Sequence, residues 1–371
     1  MTVADLAASL VAIDSVNSRL VRGGAGETDV AKHVVGWADD HGLETKVVEA
    51  TPGRPSVIVT ARGRGGGRAL LLCGHMDTVG VDGMRDPFAP RREGDRLHGR
   101  GSCDMKGGLA AALMAARDAA AAGLAGDVIV ACVADEEHAS LGVQEIVQHV
   151  RADAAVITEP TRHEIVVAHK GFVWADVTVA GVAAHGSRPD LGVDAIVQSA
   201  PVLAALGALD EELTARPPHA MLGRGSVHAG TIQGGSETSS YPASCTITVE
   251  RRTLPGETEA TFAGELDTLL SRLTVDASFA TGLSREPFAI EVEHELVALT
   301  RELAADELGA PPKLAGAPYW TDAAFLAAAG IPTVLFGPVG EGEHAAEEWV
   351  SIASLEAVTR ILTRLATTFC S

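Results

Sequence analysis

The chain has 371 residues, of which 46% are hydrophobic and 21% charged, so it can bury a large core and divide into two domains. Forty-nine acidic residues against 29 basic ones give a formal net charge of −20, a surface that repels phosphate backbones and excludes nucleic acid as a partner. No apolar run approaches the roughly 20 residues of a membrane span, and the opening MTVADLAASLVAID has no basic leader, so a cytoplasmic protein without a membrane partner is expected.

In chain order, residues 57–61 and 69–73 read as short buried strands, joined by the glycine-rich 63–68 as a flexible hairpin connection. The latter lacks the Gly-Lys-Ser/Thr ending of a phosphate loop. Residues 104–122 are alanine-rich with a helical pattern, closed by Gly123 as a C-cap. Residues 128–134 and 154–158 are two more apolar strands, and the alternation predicts an α/β domain with a largely parallel sheet. From residue 172 the pattern changes to strand 172–180, helix 194–209, strand 245–251 and helix 257–273, with turn glycines Gly230, Gly234 and Gly235. That order predicts a small α+β insertion over 172–288, interrupting a domain of residues 1–171 and 289–371. Residues 331–337 are a last buried strand running toward His344.

Five metal-capable side chains, His75, Asp104, Glu137, Glu159 and His344, each stand at the end of an apolar run or beside glycine. Together they can hold two metal ions, and Glu136 stands beside them as a base, a combination that points to hydrolysis by a metal-activated water. His75 and Asp77, two apart at a strand end, point to one side, so Asp77 can accept the imidazole's second N–H and fix its tautomer. Each residue also has an ordinary reading: a surface loop pair for His75 and Asp77, an N-cap for Asp104, a solvated acidic turn for Asp135-Glu136-Glu137. The cysteines Cys73, Cys103, Cys132, Cys245 and Cys370 are widely spaced and form no Cys-x-x-Cys pair, which points to reduced thiols.

The segments LLLCGHMDTV, GRGSCDMKGG, ADEEHASLG, ITEP, GVAAHGSRPDLGVDAI, ERRTLPGE and GEHAAEEWV, in this order over nearly the whole chain, resemble the M20 family of metallopeptidases and amidohydrolases. The nearest likeness is to its acetylornithine deacetylase and succinyl-diaminopimelate desuccinylase branch. The resemblance implies a dizinc catalytic domain with an inserted lid, the lid also serving a possible homodimer. It implies two Zn²⁺, with Co²⁺ or Mn²⁺ as substitutes: His75 and Glu159 on the first, Glu137 and His344 on the second, and Asp104 bridging. Glu136 matches the family's general base, His185 a histidine that reaches the developing oxyanion, and Arg252 the arginine that grips the substrate's carboxylate. By strand alternation Arg251 then points the other way, as a surface partner. Ser239 stands near a position where many relatives carry asparagine, and Thr321 with Asp322 is placed to face the substrate. A cis peptide between Asp104 and Met105 is also implied. The activity expected is cleavage of the amide bond of an N-acyl amino acid through a metal-bridging water. The alternatives are a dipeptidase or carboxypeptidase of the same family, and a non-catalytic binder of acylated amino acids.

Overall fold

A computed structural model describes all residues, Met1–Ser371, in two compact units: Met1–Val167 with Ile290–Ala315 and Thr321–Ser371, and Ala168–Ala289 with Gly316–Trp320. In the first, the apolar runs become strands because burying both their faces removes every side chain from water. Leu70–His75, Val128–Val133 and Ala154–Ile157 are buried at every residue. The sheet order is Glu44–Val48, Ser56–Ala61, Val128–Val133, Leu70–His75, Ala154–Ile157, Thr333–Leu335, Ile165–His169. Its four middle strands run parallel, while Ser56–Ala61 and Ile165–His169 flank them antiparallel.

This register brings the chemistry-bearing residues to one edge. His75 pairs with Val133, and Cys73 and Leu335 both pair with Ile157. The turn at 135–137, Glu159 and the segment after Leu335 therefore all leave the carboxyl ends of neighbouring parallel strands, where open α/β sheets place their ligands. The helix Gly107–Ala122 packs on these strands and against Ile352–Phe369 and Val3–Val11.

Several expected elements shift. The helix expected over 104–122 begins only at Gly107, because Ser102–Lys106 forms a distorted turn in which Asp104 and Met105 have non-helical backbone angles. The Asp104–Met105 peptide is cis. Gly123 does close the helix in the left-handed conformation. The 63–68 segment is not a hairpin: the strands on either side of it do not pair with each other but flank Val128–Val133. Its backbone instead lies against residues 124–126, with Arg64 N–H donating to Leu124 O at 2.8 Å and Gly65 N–H to Ala125 O at 2.8 Å. A Cβ on Gly63 or Gly67 would come within 2.4 Å of that backbone, so close approach, not flexibility, requires the glycines. The strand expected over 331–337 shortens to Thr333–Leu335.

The second unit is a four-stranded antiparallel sheet ordered Ser226–Gly234, Ser244–Thr253, Gly171–Ala180, Ala277–Arg285, covered by helices Ala200–Ala215 and Glu259–Ser271. Gly171–Ala180 buries alternate residues, and Val173, Val177, Val179, Val202, Leu206, Val249, Phe262 and Leu266 form the core. The expected helix 194–209 is a short turn, Ala195–Gln198, followed by a helix that continues to Ala215. The two edge strands are additions, invisible as apolar runs because their side chains are mostly exposed or alternate.

Phe262 is fully buried in the core of this second unit. Phe262→Ala is expected to cost the unit about 3–5 kcal/mol. Hydrogen exchange should accelerate within Ala168–Ala289 and leave the parallel strands of the first unit unchanged; uniform acceleration across both units would contradict the division.

Candidate metal centre

The strand ends and loops of the first unit bring His75, Asp104, Glu137, Glu159 and His344 into one cluster with two overlapping halves. His75 Nε2 lies 3.0 Å from Asp104 Oδ1 and 3.9 Å from Glu159 Oε1. His344 Nε2 lies 3.4 Å from Asp104 Oδ2 and 3.2 Å from Glu137 Oε2. The two oxygens of Asp104 are thus divided between a His75/Glu159 group and a Glu137/His344 group. His75 and Glu159 are buried on strand ends, whereas the side chain of His344 is 58% exposed, on a loop where its own backbone has φ of 60°.

The cluster concentrates carboxylates around two imidazoles. Burial, with the charges of Asp104, Glu137 and Asp322, pushes the Glu159 carboxyl up to about 8. Burial likewise raises Glu136 well above the carboxylate range, Asp322, Glu159 and Glu137 adding to the rise against the opposing pull of His75, and Glu137 is raised by burial and by Asp104. Hydrogen bonds to Asp104 and Glu137 lift the His344 imidazole to about 10. Burial opposes ionisation of Asp104, yet His344 and His75 hold it well below the usual range. The three glutamates and the His344 imidazole are thus pushed toward protons that a divalent cation would replace. The oxygen and imidazole donors suit such a cation, and Glu137 Oε1 is buried with no hydrogen-bond partner, as a ligand atom awaiting a metal would be. The residues present therefore fit a two-cation site.

One expected contact is corrected. His75 Nδ1 donates to the backbone carbonyl of Asp77 at 2.9 Å, while the Asp77 carboxylate stands off at 3.7 Å. The tautomer is still fixed, since a carbonyl only accepts, and Nε2 is left to face the cluster. The strand ends at His75, so the chain has turned before Asp77 and presents its main chain to the ring. The carboxylate serves a different end: Oδ1 accepts the Glu136 N–H at 3.1 Å, and Oδ2 accepts the Glu137 N–H at 3.2 Å and Asn17 Nδ2 at 2.7 Å. Asp77 therefore holds the turn that carries the candidate base and a candidate ligand.

A further set of groups escaped the sequence reading. Asn17 also donates to Asp135 Oδ1 at 3.0 Å, Arg54 reaches Asp135 at 2.8 Å and pairs closely with Glu27, and Glu27 accepts the Asp135 N–H. All four are buried, and a buried charge is tolerated only when paired in this way. Asp135 has φ of 65°, and this network pins that turn.

The remaining predicted residues lie elsewhere. Thr321 is 1% exposed, and its hydroxyl accepts the Ala323 N–H at 3.3 Å at the start of the Ala323–Ala328 helix. His185, Ser239 and Arg252 belong to the second unit. His185 is exposed, with Nδ1 2.8 Å from Ser187 Oγ, and Ser239 is exposed beside it, its carbonyl accepting the Gly186 N–H. Arg252 is partly exposed and donates to Glu250 at 2.6 Å. Arg251 is not the surface partner expected: alternation does put it opposite Arg252, but that side faces the helices, and its fully buried guanidinium pairs with Glu257 at 2.9 Å and Glu265 at 3.0 Å.

Residues 71–368 match the model of Peptidase family M20/M25/M40. The chain belongs to that family. It is a hydrolase of amide bonds. An acetylornithine deacetylase of Proteus mirabilis (strain HI4320) is 29% identical over 388 residues, covering 100% of this chain and 97% of that protein. Among solved structures, the aminopeptidase PepT of Bacillus cereus ATCC 10987 superposes with a TM-score of 0.80 at 20% identity, covering 100% and 98% of the two chains. The YXEP protein of Bacillus subtilis, described as a dinuclear metal binding peptidase from the M20 family, gives a TM-score of 0.73 at 16% identity, covering 99% and 97%. This M20/M25/M40 hydrolase has no helix long and apolar enough to cross a membrane.

Asp77→Asn places an amide NH2 against the N–H groups that the carboxylate now accepts, donor against donor. Turnover is expected to fall about 10–100-fold, the usual cost of losing a group that orients a ligand. Steady-state kinetics beside circular dichroism check this; wild-type turnover in a folded variant would contradict it.

Proposed function

We propose that this hydrolase depends on two divalent cations, Zn²⁺ in the first instance, and removes the acyl group from an N-acyl amino acid. The observation that carries the reading is the division of Asp104's two oxygens between the His75/Glu159 and Glu137/His344 groups. Asp104 would bridge, His75 and Glu159 would hold one cation, and Glu137 and His344 the other. When bound, the cations supply Lewis-acid polarisation of the amide carbonyl and activation of water.

The chain's own groups carry the protons. Glu136 sits on the turn held by Asp77, in a buried setting that raises its affinity for a proton. It takes the proton of the attacking water and delivers it to the leaving amine, the two tasks of one general acid–base. His75 keeps its Nδ1 proton on the Asp77 carbonyl, so that Nε2 stays available to the cation. To His185 we assign hydrogen-bond donation toward the oxyanion and to Arg252 the grip on the substrate's carboxylate, on the match of their segments to the family. Ser239, near the position where many relatives carry asparagine, and Thr321, in a segment like that of the acetylornithine deacetylase branch, are assigned weaker substrate contacts.

Relatives named acetylornithine deacetylase, matching 100% and 90% of this chain, support an acylated amino acid over a peptide. Five free, buried cysteines support a reducing cytoplasmic compartment. The exposed apolar side chains Val182, Leu191, Val193, Ile196 and Ile232 on the second unit support a homodimer formed through it.

A panel of N-acetyl and N-succinyl amino acids and dipeptides, assayed with added Zn²⁺ or Co²⁺, tests the substrate class. N-acyl amino acids should turn over best, and a clear preference for dipeptides would sink the deacylase reading. In the same assay Glu136→Gln should lose at least about 10²-fold in kcat, the lower range for a proton-transfer group, with its metal content intact. Activity retained by that variant would remove Glu136 as the base.

A further inference from the structure

Asp104 and His344 approach each other from two loops, neither of which is part of the sheet that fixes His75 and Glu159. Both loops converge on one buried carboxylate. Glu348 Oε1 accepts the backbone N–H groups of Cys103 at 2.8 Å and Asp104 at 3.0 Å. Its Oε2 accepts the Gly101 N–H at 2.9 Å and Arg100 Nη1 at 2.7 Å. The Glu348 carboxylate therefore grips three consecutive-turn amides around Asp104 while its own backbone belongs to the His344 loop.

Arg100 completes the clamp. Its Nη2 donates to the Ala345 carbonyl, next to His344, at 2.9 Å, and its Nε donates to the Gly80 carbonyl at 3.1 Å. Glu348 is 1% exposed and Arg100 2%. A buried pair with every carboxylate lone pair in use is geometrically exacting, because a charged acceptor binds N–H groups strongly and along fixed directions. Neither side chain points a free donor atom into the cluster, so neither is a ligand.

We propose that Glu348, locked by Arg100, is a positioning residue that sets the distance between Asp104 and His344 and thereby the affinity for the second cation. This rests on the two-cation reading of the site. His75 and Glu159 are placed by the parallel strands, so the first cation depends on Glu348 only through Asp104. The second depends on it through both Asp104 and His344. In Glu348→Gln the amide NH2 must face two of the donors that the carboxylate now accepts, at whichever end it lies, and the clamp opens.

The test is equilibrium dialysis of wild type and Glu348→Gln against buffered free Zn²⁺, with bound metal counted. Wild type should bind two ions, and the variant should bind one at the same free Zn²⁺, recovering the second at about 10–100-fold higher concentration. Its kcat should return with that second ion while KM stays unchanged, a split that general unfolding would not produce. Two ions bound by Glu348→Gln at wild-type affinity would overturn the inference alone, whereas fewer than two bound by wild type would overturn the two-cation reading itself. If Glu348→Gln does not fold, Arg100→Lys, which keeps the charge and loses the fork, should show the same loss of the second ion. In metal-free wild type the amides of Gly101, Cys103 and Asp104 should exchange slowly; rapid exchange there would also overturn the clamp.

Discussion

The organising constraint of this molecule is buried negative charge. Asp104, Glu136, Glu137 and Glu159 meet His75 and His344 at the carboxyl edge of a parallel sheet, and burial drives the three glutamates toward protonation. Divalent cations resolve the conflict at once: they neutralise the cluster, and they are the agents the chemistry requires. Much else in the first unit reads as provision for that charge.

The provision is made largely through the backbone. Asp77 accepts the N–H groups of Glu136 and Glu137, Glu27 that of Asp135, and Glu348 those of Gly101, Cys103 and Asp104. Three carboxylates thus anchor the two turns that display the working residues, each paired with a donor of its own: Asn17 for Asp77, Arg54 for Glu27, Arg100 for Glu348. Side-chain anchoring of this kind fixes a loop without lengthening a strand, and it leaves the ligand side chains themselves free to face the cations. Part of the acidic excess in the composition is therefore interior and structural.

What was legible in the sequence follows from range. The apolar runs at 69–73, 128–134 and 154–158 are local patterns, and they emerge as the fully buried strands Leu70–His75, Val128–Val133 and Ala154–Ile157. The cluster residues were legible because each stands at the end of an apolar run or in a glycine-flanked segment, and the order of segments pointed to the family. The supporting groups were not, since Asn17 meets Asp77 from 60 positions away and Arg100 meets Glu348 from 248, and each in isolation looks like an ordinary polar residue. Asp77 meets His75 through its backbone carbonyl and not its carboxylate, because a two-residue spacing predicts a shared side only while the strand continues. Arg251 shows the complementary failure: alternation separates it from Arg252, but which face is covered depends on helices 259–271 and 200–215 packing there. The exposed edge strand 226–234 carries no apolar signature at all.

The most direct test of the two-cation account is anomalous diffraction from crystals of the wild-type protein grown with Zn²⁺. The account predicts two peaks flanking the Asp104 carboxylate, one against His75 and Glu159 and the other against Glu137 and His344. A single peak, or peaks that leave Asp104 uncontacted, would contradict it.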